Sequence, residues 1–140
     1  KLEGLDDSYE VFFQSYLNGC NPDIIILKRH CGAFIIEVKD WNLSSYSYIA
    51  ENFGYGKMFL KNNRTLVKTP FEQVTHYKKM IYNLYSDVIV KENIGNKSLY
   101  GKVKTSVYFY NDLEANIKNK FRTNYYDMKF INMCGRIQRL

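Results

Sequence analysis

The stretch that decides the fold runs from Pro22 to Trp41, PDIIILKRHCGAFIIEVKDW. It holds two apolar runs, Ile24 to Leu27 and Ala33 to Val38, separated by a polar turn from Lys28 to Gly32. Apolar, β-branched runs bounded by turn residues mark buried strands, and a connection this short makes the pair an antiparallel hairpin. Three charged residues interrupt the pattern: Asp23, Glu37 and Lys39. Side chains alternate along a strand, so Glu37 and Lys39 share a face and Val38 takes the other. With the turn centred on His30 and Cys31, paired residues sum to about 60–62, as antiparallel pairing requires. Asp23 then falls across from the Glu37–Lys39 segment. Two carboxylates and an ammonium thus gather at one end of the hairpin. Carboxylate oxygens suit a hard cation such as Mg²⁺, which takes a few carboxylates plus water. A lysine beside such a site is placed to orient or deprotonate water.

Upstream, Tyr9 to Leu17 is aromatic and β-branched, and it reads as a strand. Asn18-Gly19 is a hairpin-turn signal. A three-stranded meander is therefore expected: Tyr9–Leu17, Asp23–Leu27 and Ala33–Lys39. The unbroken run from Ile24 to Leu27 implies burial on both faces of the middle strand, with a helix layer on at least one. Lys1 to Ser8 reads as the tail of a helix followed by a turn.

Downstream, Tyr46–Ala50 and Lys57–Leu60 are expected to form a second hairpin, with a further turn at Asn62-Asn63-Arg64. Tyrosines are numerous, 13 in all, so those in this region are read as packing at sheet edges rather than stacking on bases. Thr69 to Tyr85 is the clearest helix. Thr69 is a good N-cap, Pro70 suits the first helical position, and Glu72 completes a capping box. Phe71, Val74, Tyr77, Ile81, Leu84 and Tyr85 recur at helical spacing and define a core face. Gln73 and Tyr77 are one turn apart and so are neighbours on the helix surface. His76 lies nearby, within reach of a phosphate, and Lys78 and Lys79 read as a solvated basic face.

Asp87 to Lys97 is expected to be a polar connection. Val103 to Tyr110 reads as a strand lying parallel to the Glu37 strand through the helix crossover. Leu113 to Phe121 reads as a short helix and Lys129 to Met133 as a last edge strand. Arg136 and Arg139 fall in a basic tail. No glycine-rich phosphate loop is present, so ATP binding is not encoded.

One hundred and forty residues make one domain with a real core, here 1–140 as a single unit. Hydrophobic content of 46% and charge of 24% are those of a soluble globular protein. No apolar run approaches the ~20 residues that span a bilayer, so no membrane partner is expected. The formal charge of +6 fits a polyanionic partner. Three cysteines without C-x-x-C spacing argue against a disulfide framework and a zinc site, and imply reduced thiols in a cytoplasmic protein. The chain opens on Lys1 and stops at Leu140, as expected of a fragment of a longer protein.

Asp23, thirteen residues, then Glu37-Val38-Lys39 resembles the PD-(D/E)xK nuclease superfamily. The Gly-aliphatic-aliphatic approach to Glu37, the aromatic Trp41 after it, and Thr69-Pro70-x-x-Gln73 opening a helix narrow the resemblance to the nuclease-related domain, NERD. It covers roughly Tyr9 to Tyr110. The resemblance implies an α/β, restriction endonuclease-like core: a mixed sheet, an antiparallel meander plus a parallel strand, flanked by helices. The first helix of that core would lie mostly upstream of Lys1, and of the acidic residues near it Glu3 and Glu10 are read as ordinary solvated carboxylates. The resemblance further implies a Mg²⁺- or Mn²⁺-dependent nuclease acting on DNA, or on RNA in its place. Asp23, Glu37 and the Val38 carbonyl would hold the metal, Lys39 and Gln73 would complete the catalytic set, and Tyr77 and His76 would be accessory. Helicase, kinase or zinc-ribbon segments are the expected companions in a longer parent chain. The alternative is a module that keeps the fold and binds DNA or another protein without cutting.

Overall fold

Seven strands and two helices make up the described part of the computed structural model, which covers residues 5–17, 19–51, 55–92 and 101–121, with residues 84–92 given by their backbone. In chain order they are β1 (Tyr9–Phe13), β2 (Ile24–Lys28), β3 (Gly32–Lys39), β4 (Tyr46–Ile49), β5 (Lys57–Leu60), β6 (Leu66–Val67), α1 (Pro70–Glu92), β7 (Val103–Phe109) and α2 (Glu114–Phe121). One sheet has the order β1-β2-β3-β7 and the other β4-β5-β6. β1, β2 and β3 are antiparallel neighbours. β7 runs parallel to β3: Ala33 N–H donates to the Lys102 carbonyl at 2.9 Å, and Tyr110 N–H to the Lys39 carbonyl at 2.8 Å. The expected α/β mixed sheet is therefore present. The chain divides into two units, Lys1–Glu37 with Val74–Thr105, and Val38–Gln73 with Ser106–Leu140.

In the first unit the β2–β3 register pairs Ile24 with Ile36 and Lys28 with Gly32, a sum of 60, inside the range the turn implied. His30 takes φ +59° at that turn. Gly32 sits at φ +138°, and a Cβ there would collide with the Lys102 carbonyl, so only glycine admits this approach. Strand β1 is shorter than the expected Tyr9–Leu17. Gln14 N–H still donates to its in-register partner, the Asp23 carbonyl, at 2.9 Å, but its backbone turns to φ +46° there and the strand ends. Leu17 and Cys20 then exchange two backbone bonds, with Gly19 at φ +85°. Burial on β2 is partial on both faces: Ile25 is buried and Leu27 on the same face is exposed, while Ile24 and Ile26 on the other face are half-buried. An apolar run tells which residues tolerate burial, not how much of each face is covered. Ile35, Ile36, Val74, Tyr77, Ile81 and Val103 complete this unit's core.

In the second unit β4, β5 and β6 form an antiparallel sheet, pairing Tyr46 with Leu60 and Met58 with Val67. Its core is aromatic. Phe121 of α2 meets Tyr48 and Phe71 edge-on at 4.9 Å each and Phe109 in a stack at 5.8 Å. Thr69 is the N-cap of α1, its Oγ1 accepting from Glu72 N–H at 3.2 Å. The helix runs past Tyr85 to Glu92, where a polar connection was expected. No glycine or proline falls between those positions, so nothing there stops it.

Among the described residues no helix is long and apolar enough to cross a membrane. Glu3, the strand expected at Lys129–Met133, Arg136 and Arg139 lie outside the described residues.

Candidate functional site

Strand β3 carries the charged residues that the hairpin pattern singles out. Glu37 is buried, only 4% exposed, with its Oε2 sealed from solvent. A carboxylate withdrawn from water is costly unless a cation or hydrogen-bond donors meet it. Asp23 is half-buried and stands immediately before β2. The register that pairs Ile24 with Ile36, continued by one residue, sets Asp23 beside Glu37. The structure therefore sets Asp23 at the entry to β2 and Glu37 on the neighbouring strand β3.

Val38 and Lys39 continue β3, both half-buried. Alternation turns Lys39 to the same face as Glu37, and Val38 to the other. The Lys39 ammonium donates to Gln73 Oε1 at 3.0 Å. It also lies over the Trp41 ring, 5.1 Å from the centroid, within range of a cation–π attraction. Trp41 in turn stacks on Tyr46 at 4.8 Å and 18° between planes. Gln73 holds its place because the Thr69 cap fixes the start of α1: Gln73 N–H donates to the Thr69 carbonyl at 3.1 Å. Thirty-four residues apart in sequence, Lys39 and Gln73 are joined by this bond.

Tyr77, one turn beyond Gln73, is 5% exposed and belongs to the core face of α1. His76 is exposed. Lys78 is half-buried, and burial, then the neighbouring Lys104 charge, hold its ammonium below the usual lysine range. Glu10 is exposed on β1, and Cys20 and Cys31 are free thiols.

Among the described residues no group of three or more His, Cys, Asp or Glu side chains forms a metal cage. Asp23 and Glu37 offer two carboxylates, with the Val38 carbonyl between Glu37 and Lys39. Such a donor set is all oxygen, which fits Mg²⁺ or Mn²⁺: these ions bind through one or two carboxylates and keep several waters.

Sequence reasoning missed the role of Trp41 beneath Lys39. The signal was present, since 39 and 41 share parity, but β3 ends at Lys39 and strand alternation carries no warrant beyond it. It also missed the polar groove beside β4 and α2 described below, whose two lysines are 59 positions apart in the chain.

The family model of the nuclease-related domain, NERD, matches residues 1–134. Searches of curated proteins and of solved structures each return no match.

Proposed function

The chain belongs to the nuclease-related domain family, and from that premise we propose that it is a metal-dependent nuclease domain hydrolysing DNA phosphodiester bonds within a larger DNA-processing protein. The observation that carries this reading is Glu37, a carboxylate 4% exposed on β3, one position beyond the Ile24–Ile36 pair, where the continued register would set Asp23 beside it. Two such groups so placed repel each other, and a bound cation offsets that repulsion.

Asp23, Glu37 and the Val38 carbonyl would hold Mg²⁺ or Mn²⁺. When bound, the cation supplies neutralisation of phosphate charge and a water of lowered pKa. Lys39 orients the attacking water or stabilises charge developing on the phosphorus oxygens. Gln73 fixes the Lys39 ammonium through the 3.0 Å bond, and its amide NH₂ remains a donor type suited to water or phosphate. Trp41 supports the same ammonium from its ring face. A lysine restrained on two sides loses less freedom on reaching the transition state.

A second reading keeps the fold and nucleic-acid or protein binding but not hydrolysis. It is favoured by one observation: among the described residues the acidic set stops at two side chains. Calorimetric titration of Mg²⁺ and Mn²⁺ into wild type and Glu37→Ala, with plasmid nicking on the same samples, separates the two. Binding and nicking that both vanish in the variant support the nuclease. Metal binding without nicking supports the binding module. Absence of metal binding by the wild type refutes the catalytic reading.

A further inference from the structure

A second polar site lies within the unit formed by Val38–Gln73 and Ser106–Leu140. It is an open groove of about 630 Å³ between β4, the end of β5 and α2. Two lysines reach it from distant parts of the chain. Lys61 follows β5, and its N–H is tied to the Ser45 carbonyl at 3.0 Å. Lys120 is in the last turn of α2, and its ammonium donates to the Tyr46 carbonyl at 2.7 Å. Asn116 lines the groove one turn before Lys120, on the same helix face, with Asn119 beside it.

The electrostatics favour an anion. Burial and the Lys61 charge both push the Lys120 ammonium below the usual lysine range, opposed by Asp112. Two cations held against mutual repulsion gain when a negative group joins them. Asp112 is the carboxylate in the groove, and both its oxygens are committed: Oδ2 accepts from Leu43 N–H at 2.7 Å and Oδ1 from Asn116 Nδ2 at 3.1 Å. Its charge offsets one lysine and leaves one. Lys118, on the same helix, contrasts with this arrangement, since it pairs with Glu114 at 2.7 Å and does not line the groove.

The form of the groove favours a polymer over a small molecule. It is open, and amides, hydroxyls and ammonium groups line it alongside Tyr46 and Tyr48; small-molecule sites are enclosed and mostly apolar. A chain of ring contacts links it to the candidate catalytic lysine. Tyr46 lines the groove, stacks on Trp41, and Trp41 lies under the Lys39 ammonium. Aromatic rings interleaved with cations along a groove are the pattern that tracks a single nucleic-acid strand.

We propose that this groove binds the phosphodiester backbone of the nucleic-acid strand flanking the bond to be cut, with Lys61 and Lys120 sharing a phosphate and Asn116 and Asn119 donating beside it. The proposal rests on the nuclease reading for its choice of polymer. Its test is fluorescence anisotropy of a labelled single-stranded oligonucleotide in EDTA, across a salt series, for wild type, Lys61→Gln, Lys61→Gln with Lys120→Gln, and Lys118→Gln as control. Each lost phosphate contact lowers the slope of log K against log salt by about 0.7 on single strands. The double variant is expected to show at least one such step and weaker binding to every sequence alike. Lys61→Gln alone, an exposed side chain with no tie beyond its backbone among the described residues, is expected to show part of the loss, so a folding defect from losing the Lys120 tether does not decide the result. Unchanged slopes, an equal loss in Lys118→Gln, or a wild type that binds no oligonucleotide would each overturn the groove. Wild-type cleavage with unchanged slopes leaves the nuclease standing without it. Lost slopes with no cleavage in Mg²⁺ or Mn²⁺ leave the groove standing and remove the catalytic reading.

Discussion

Glu37→Gln tests the candidate metal site by the sign of a stability change. The substitution keeps the shape of the side chain and removes its charge. If Glu37 is a metal ligand beside Asp23, the metal-free protein carries the repulsion of two carboxylates, one of them 4% exposed, and the amide relieves it. A like-charge contact that shifts a carboxylate by one pKa unit costs about 1.4 kcal/mol, so relieving it returns about 1–2 kcal/mol. For a chain of this length 1 kcal/mol moves the melting temperature by about 4 °C, so the metal-free variant should melt about 4–8 °C higher than wild type. Mg²⁺ should then stabilise wild type by about 2.7 kcal/mol at roughly 100 times its Kd and leave the variant unmoved. The assay is thermal unfolding followed by circular dichroism, in EDTA and in Mg²⁺. A purely structural Glu37–Lys39 ion pair predicts the opposite sign, because removing one partner of a buried pair costs about 3–5 kcal/mol. A variant that melts well below wild type in EDTA, beside a wild type indifferent to Mg²⁺, refutes the metal-site reasoning.

Gln73→Ala removes the acceptor at 3.0 Å from the Lys39 ammonium; a bond to a charged group contributes about 1.5–3 kcal/mol, so kcat for cleavage should fall about tenfold or more while calorimetric Mg²⁺ affinity stays unchanged. Thr69→Ala deletes the N-cap acceptor of α1 and should lower stability by about 1 kcal/mol in urea unfolding. Gly32→Ala sets a methyl against the Lys102 carbonyl at φ +138°, and the loss should exceed about 3 kcal/mol, seen as failure to give a cooperative thermal transition. Lys78 is held below its ordinary 10.5 by burial and Lys104. The unfolded chain therefore binds that proton more tightly, so the penalty is fully present below the folded pKa and fades as pH rises toward 10.5. Stability should climb over that alkaline window, and Lys78→Met should flatten the climb in urea midpoints measured from neutral to alkaline pH.

What the sequence revealed of the fold tracks how local the deciding interactions are. The β2–β3 hairpin was legible to its register because apolar runs and a short turn leave one antiparallel solution. The start of α1 was legible because Thr69 and Pro70 are local signals, and the aromatic face followed from its period. The end of β1 was not, since Gln14 turns to φ +46° at its in-register bond to the Asp23 carbonyl, and no pattern in the sequence announces that backbone turn. Strand β6 was missed because Leu66–Val67 is two residues long, too short to show alternation. It exists because β5 offers it an edge: Phe59 pairs with Leu66 and Met58 with Val67.

The candidate site divides along the same line, and so does the meaning of the net charge. Asp23 and Glu37 were legible together because one hairpin register joins them. Lys39 and Gln73 are joined only by tertiary structure, and Gln73 stood out through a family resemblance rather than through spacing. The charge of +6 pointed to a polyanion without saying where it would lie. The structure shows that lysines differ in their use. Lys57 faces Glu51 at 2.9 Å and Lys118 faces Glu114 at 2.7 Å, while Lys28 donates to Tyr9 Oη at 2.7 Å. Lys57 and Lys118 thus each have a carboxylate beside them, and Lys28 a neutral hydroxyl. Lys61 and Lys120 instead converge on one groove, close enough to raise each other's cost. A counted charge is an argument about solubility and encounter. A pair of cations brought together from positions 61 and 120, the one fixed by its backbone N–H and the other by its ammonium on a carbonyl, is an argument about where a phosphate would sit.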